Sequence, residues 1–168
     1  MYLQFYEVWR NNSNKMKTVT RLITIPENSV ISNEFERIDY CDSYRIVNPT
    51  NDSMEKIAIE IFKMPKWVNW LMNIRNSIVR IFGLKTGKDV KEGQTYFTVI
   101  EQNENEIVMG ETDKHLDFRT SILVDRANSF IYLTTIVRFN NFWGRLYFLP
   151  VKPFHKLIVK STLNRQIK

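Results

Sequence analysis

The sequence predicts an α+β protein in which an antiparallel sheet packs against a long C-terminal helix. Three observations predict this. Four strand-like runs follow one another between residues 95 and 139 with short polar turns between them, and short connections favour antiparallel neighbours. Two stretches between residues 52 and 82 carry apolar residues at helical spacing. The end of the chain, residues 150–166, returns to that spacing. Helices gathered on one face of an antiparallel sheet make the α+β layout.

The elements follow in chain order. Residues 1–15 are Asn-rich at their end and are expected to be an extension to a single domain spanning 16–168; they lack the basic start, apolar run and cleavage site of a signal peptide. Thr18–Ile25 is a short β-like run ended by Pro26, and Phe35–Val47 reads as a strand. Asn48-Pro49-Thr-Asn51 is turn chemistry. Asp52 is placed to cap a helix with Glu55 at its third position. Met54, Ile57, Ala58, Ile61 and Phe62 follow at helical spacing. Pro65 opens a second helix, Lys66–Phe82, whose stripe of Trp67, Trp70, Leu71, Ile74 and Ile78 is broken by Arg75 and Asn76. Gly83 stops it. The strand runs are Thr95–Gln102, Glu106–Glu111, His115–Val124 and Ser129–Phe139. Asn140–Arg145 is expected to be a turn, with Gly144 supplying freedom in φ. The last helix is expected over Pro150–Gln166, with Phe154, Leu157, Ile158, Ser161 and Thr162 inward.

Composition sets outer bounds. A chain of 168 residues buries roughly 70% of its unfolded surface, enough for a core without metals or disulfides. Cys41 is the one cysteine, so no internal disulfide forms. No apolar run reaches the length of a membrane span, and a cytoplasmic location is expected. The net charge is +6, with Lys152, Lys156 and Lys160 recurring every four residues. On a helix they make one basic stripe, either a solvated face or a contact for nucleic acid or an anionic membrane. No nucleic-acid-binding signature accompanies them, and no nucleic-acid partner is expected.

The richest stretch for chemistry is Gly110–Ser121. Alternation puts Leu116, Phe118, Thr120 and Ile122 on one side and His115, Asp117, Arg119 and Ser121 on the other. The polar row lines a pocket or forms a salt-bridged sheet face. Asp117 could pair with Arg119 or orient His115 as a general base. Arg75 within an apolar helix needs a partner, Asp117 or a ligand carboxylate, or else reaches water along its stem. Trp67 and Trp70 could frame a pocket mouth, and Tyr132 and Tyr147 could offer hydroxyls to it. His115 and His155 are the only histidines and sit far apart in sequence, so no metal site is predicted. No GxGxxG or GxSxG pattern occurs, so no cofactor is predicted.

The order of elements resembles the helix-grip architecture of the START and birch-pollen-allergen superfamily. There, two short helices follow the first strand and a curved antiparallel sheet wraps around a long C-terminal helix. Several motifs point closer: Tyr40-Cys-Asp-Ser-Tyr44, Pro65-Lys-Trp-Val-Asn-Trp-Leu-Met-Asn-Ile-Arg-Asn76, Phe82-Gly-Leu84, Asp113-Lys-His-Leu-Asp-Phe-Arg119, Gly144-Arg-Leu-Tyr147 and Pro153-Phe-His155. Together, over roughly residues 26–165, they resemble an uncharacterised bacterial group, domain-of-unknown-function family 2867, seen alone or attached to NAD(P)-binding NmrA-like domains. The resemblance implies a fold and brings no settled catalytic residues.

Three functional expectations follow. The first is a module binding an apolar or amphiphilic small molecule between sheet and final helix, with Arg75, His115 and Arg119 orienting its polar group. The second is an enzyme using His115 and Asp117 as an acid–base pair. The third is a non-catalytic interaction domain, partnering a separate NAD(P)-binding protein or forming a homodimer through Tyr2, Phe5, Tyr6 and Trp9.

Overall fold

A computed structural model describes residues 18–48, 50–63 and 97–167. The expected helix Lys66–Phe82, with Trp67, Trp70 and Arg75, lies outside these residues, as do the N-terminal aromatics. The described elements are β1 (Thr20–Leu22), a 3₁₀ turn (Val30–Asn33), β2 (Tyr40–Val47), α1 (Met54–Phe62), β3 (Thr98–Gln102), β4 (Glu106–Thr112), β5 (Leu116–Asp125), β6 (Phe130–Phe139) and α2 (Phe142–Gln166). The strands form one curved antiparallel sheet in the order β1-β2-β6-β5-β4-β3, with α2 on one face. The class is α+β with a helix-grip arrangement.

Several boundaries move for local reasons. α1 is capped by Ser53, whose hydroxyl accepts from the Lys56 amide. The expected cap, Asp52, instead holds the Lys56 ammonium at 2.7 Å. The segment 35–39 is not strand; β2 begins at Tyr40. The largest change is at α2, which starts eight residues earlier than its prolines suggest. Asn141 caps it by accepting from the Gly144 amide, a role asparagine fills well.

Gly144 is required for close approach rather than for φ. A Cβ there would lie 2.0 Å from the His115 carbonyl oxygen. Pro150 and Pro153 sit inside the helix. Each lacks the N–H that would bond the carbonyl four residues back, that of Leu146 or Leu149. Both leucines are on the exposed flank, where solvent can take those bonds. This start fixes the phase of the helix. Gly144, Phe148, Val159, Thr162 and Leu163 face inward, whereas Phe154 and Leu157 are 46% and 58% exposed.

Each face of the sheet has its own core. On the helix face Tyr44, Ile46, Ile107, Met109, Ile122, Val124, Ile131 and Leu133 pack with Ile57, Ile61 and Phe62 of α1 and Val159 and Leu163 of α2. On the opposite face, the strap carrying the 3₁₀ turn covers the sheet, with Ile31 and Phe35 packed on Val108 and Ile136. Both faces of β5 are therefore buried along much of its length.

Candidate functional site

The polar row predicted on β5 is real, but it faces the strap rather than α2. Ser121 pairs across the ladder with Val108 of the strap-side core, and alternation carries Arg119 and Asp117 to the same side. Arg119 donates from Nε to Glu34 at 3.0 Å and from its amino groups to the Phe118 carbonyl, the Glu111 carbonyl and Thr112. Asp117, with its side chain 1% exposed, accepts from Arg138 Nε at 3.2 Å and from the Asp113 amide at 3.1 Å. The Arg119 and Arg138 guanidinium carbons each lie 5.0 Å from the Phe35 ring centroid.

Beside this row, buried Glu106 accepts from the Ser29 hydroxyl at 2.6 Å, the Val30 amide at 2.9 Å and the Ser121 hydroxyl. These bonds fasten the strap to the sheet. A buried carboxylate is tolerated when donors surround it. Sequence reading overlooked Glu106 because its partners lie 76 and 77 residues away in the strap.

The other predicted residues scatter. His115 precedes β5, and its Nδ1 lies 3.1 Å from the Asn141 side-chain oxygen at the start of α2. His115 and Asp117 have separate hydrogen-bond partners, Asn141 for the first and Arg138 for the second. Tyr132 packs edge-on against Phe130 on β6. Tyr147 is half-buried on α2.

A second polar group, between sheet and α2, was not anticipated as a site. Tyr40, Asp42 and Tyr44 alternate along β2 and share its helix face. The Asp42 side chain is 1% exposed. It accepts from the Tyr40 hydroxyl at 2.9 Å and lies 3.2 Å from His155 Nε2 on α2. The register continues the polar strip: Asp42 faces Thr135, Thr135 faces Thr120, and their hydroxyls are 3.4 Å apart. The Tyr44 hydroxyl and Thr162 Oγ1 are buried and find no hydrogen-bond partner among the described residues. An unmet buried hydroxyl carries a desolvation cost of about 1–3 kcal/mol.

Aromatic rings adjoin the strip on both sides. Tyr40 meets Phe148 edge-on at 4.8 Å, and Phe148 lies 5.4 Å from Phe139. Toward β3, Phe118 meets Phe97 at 5.0 Å and Phe97 meets Phe62 at 6.1 Å.

The electrostatics follow from burial. The Tyr40 hydroxyl is held well above its ordinary ionisation range, first by burial, then by the Asp42 charge and the hydrogen bond to it. Burial and Asp42 also raise Tyr44, against a smaller opposing effect of Arg21. Cys41 points to the other face, and burial followed by Asp42 pushes its thiol upward. A thiol held protonated is a poor nucleophile, in keeping with a structural role. Among the described residues no group of three or more His, Cys, Asp or Glu could hold a metal ion, and no helix is long and apolar enough to cross a membrane.

The arrangement brings a carboxylate, an imidazole and a phenol together between sheet and helix, with packed rings on either side. The strip was legible in part, since Tyr40-Cys-Asp-Ser-Tyr44 puts an acid between two phenols on one strand face. Its partner His155 lies 113 residues away and no local pattern joins the two. The family model described as protein of unknown function (DUF2867) matches residues 35–162, and the chain belongs to that family. Neither a curated protein nor a solved structure matches it.

Proposed function

We propose that the chain is a small-molecule-binding module whose site lies between β2, β6, β5 and α2. One observation carries this reading: an Asp42–His155–Tyr40 group sits between sheet and long helix, with the unmet Tyr44 hydroxyl on the same strand face as Asp42 and the unmet Thr162 hydroxyl on the same helix as His155. Buried polar groups in a settled core are paired. Hydroxyls left without partners are places where a ligand's polar atoms would recover the lost bonds.

The chemistry of the strip revises the ligand expected from sequence. Asp42 disfavours an acidic head group through like-charge repulsion. It favours a hydroxyl or amine that donates to its carboxylate, with Tyr44 and Thr162 completing the contacts. The apolar body would lie along Phe118, Phe97 and Phe62. In this reading Arg119 holds the strap through Glu34, Asp117 is taken up by Arg138, and the ligand's polar group belongs to Asp42 and His155. An enzymatic reading, should turnover be found, moves from His115 and Asp117 to the same His155–Asp42 pair, because a carboxylate can orient an imidazole for proton transfer.

Native mass spectrometry of the purified chain tests the proposal. The expected result is a co-purifying small molecule retained by wild type and lost from Asp42→Asn. Tyr44→Phe serves as the variant that keeps the fold, since it removes only the unmet hydroxyl; it should release the molecule at lower collision energy. Wild type that gains no mass from a lipid and metabolite extract, or equal retention by both variants, overturns the reading.

A further inference from the structure

The outer flank of α2 combines two features that one partner can satisfy together. Its exposed apolar residues include Phe142, Leu146, Leu149 and Leu157, at 69%, 42%, 67% and 58% exposure. With exposed Pro153 they recur at steps of four, three, four and four, so they form one stripe along the helix. Trp143 and Phe154, 53% and 46% exposed, widen it.

The charge on the same helix has a single sign. Across its 25 residues α2 carries Arg145, Lys152, Lys156, Lys160 and Arg165 and no Asp or Glu. Arg145 reaches Asp39 at 3.6 Å, and Lys152 lies over the Tyr40 ring. Lys156 and Lys160 make no ion pair among the described residues. They stand beside the apolar stripe toward its C-terminal end.

We propose that this flank docks on an anionic lipid surface, with Phe142, Leu146, Leu149 and Leu157 entering the interface and Lys156 and Lys160 meeting the head groups. Charge complementarity selects the partner. A helix with basic and no acidic side chains seeks a negative surface, and a row of leucine and phenylalanine seeks an apolar one. An anionic bilayer offers both at the right depth for a helix lying in its plane. A nucleic acid would satisfy the lysines and leave the apolar stripe wet. The proposal stands on the outside of α2 and does not depend on the interior site.

Vesicle flotation of the full chain tests it, using phosphatidylcholine alone and an equal mixture of phosphatidylcholine and phosphatidylglycerol. Binding is expected to the mixed vesicles and to weaken as salt is raised. Lys156→Ala with Lys160→Ala should lower affinity by about 25-fold, at about five-fold per lysine. Leu149→Asp and Leu157→Asp, both at exposed positions that leave the core intact, should abolish flotation while thermal unfolding stays unchanged. Absence of flotation with mixed vesicles overturns the proposal, as does binding unaffected by the Asp variants. Affinity for duplex DNA that survives Leu149→Asp would assign the flank to nucleic acid. A dimer in light scattering that Leu149→Asp dissociates, without flotation, would assign it to a second copy.

Discussion

The strap face and the helix face of the sheet bury comparable polar chemistry and treat it in opposite ways. Under the strap, Glu106 has three donors, Arg119 has Glu34 and three further acceptors, and Asp117 has Arg138. Under α2, Asp42 has Tyr40 and His155, but the Tyr44 and Thr162 hydroxyls have no partner among the described residues. A row of charges is therefore a poor guide to a binding site. A closed network holds the fold together, whereas an open one keeps capacity for something else.

The largest expected effect breaks the closed side. Glu106→Ala strands the Ser29 and Ser121 hydroxyls and the Val30 amide beneath the strap. It should cost about 3–5 kcal/mol, read as a lower urea midpoint. A loss below about 1 kcal/mol would mean that the strap is held by its apolar contacts alone and that the contrast between faces is overstated.

The next effect separates the faces by pH. Tyr40 and Tyr44 are both raised above the ordinary tyrosine value of 10.0. A group whose folded value is raised favours the folded state in its protonated form. That stability is complete below pH 10.0 and is lost as the pH climbs above it. Unfolding free energy should therefore fall on the alkaline side, and Tyr40→Phe should flatten the fall. A slope unchanged in Tyr40→Phe would place the alkaline sensitivity elsewhere.

The smallest effect sharpens the open side. Tyr44→Phe removes a buried hydroxyl that has no partner, so ligand-free protein should be unchanged or gain up to about 1 kcal/mol. A loss of more than about 1 kcal/mol would show that the hydroxyl is bonded in solution and that the strip is closed.

Much of the fold was legible in the sequence because alternation and helical spacing are local signals. The strands between 98 and 139 lie within a few residues of their expected bounds. The start of α2 was misplaced because Pro150 and Pro153 imitate a helix start, while the true cap, Asn141, precedes a run of Phe and Trp that reads as turn or core. The site was harder to find for a different reason. Alternation splits β5 into two faces but does not say which meets α2 and which meets the strap, and here both are buried. That choice is made by the β2–β6 register, which sets Asp42 opposite Thr135, and by the phase of α2, which brings His155 down upon Asp42.

The two histidines provide the most direct test, since His155 touches the open strip and His115 sits at the start of α2 against Asn141. Imidazole nitrogen–proton correlations can be recorded by nuclear magnetic resonance as a lipid and metabolite extract is added to the chain. With a ligand between sheet and helix, the His155 resonances shift on loading while those of His115 stay in place. A shift confined to His115, or no shift at either ring, would contradict a ligand site between sheet and helix.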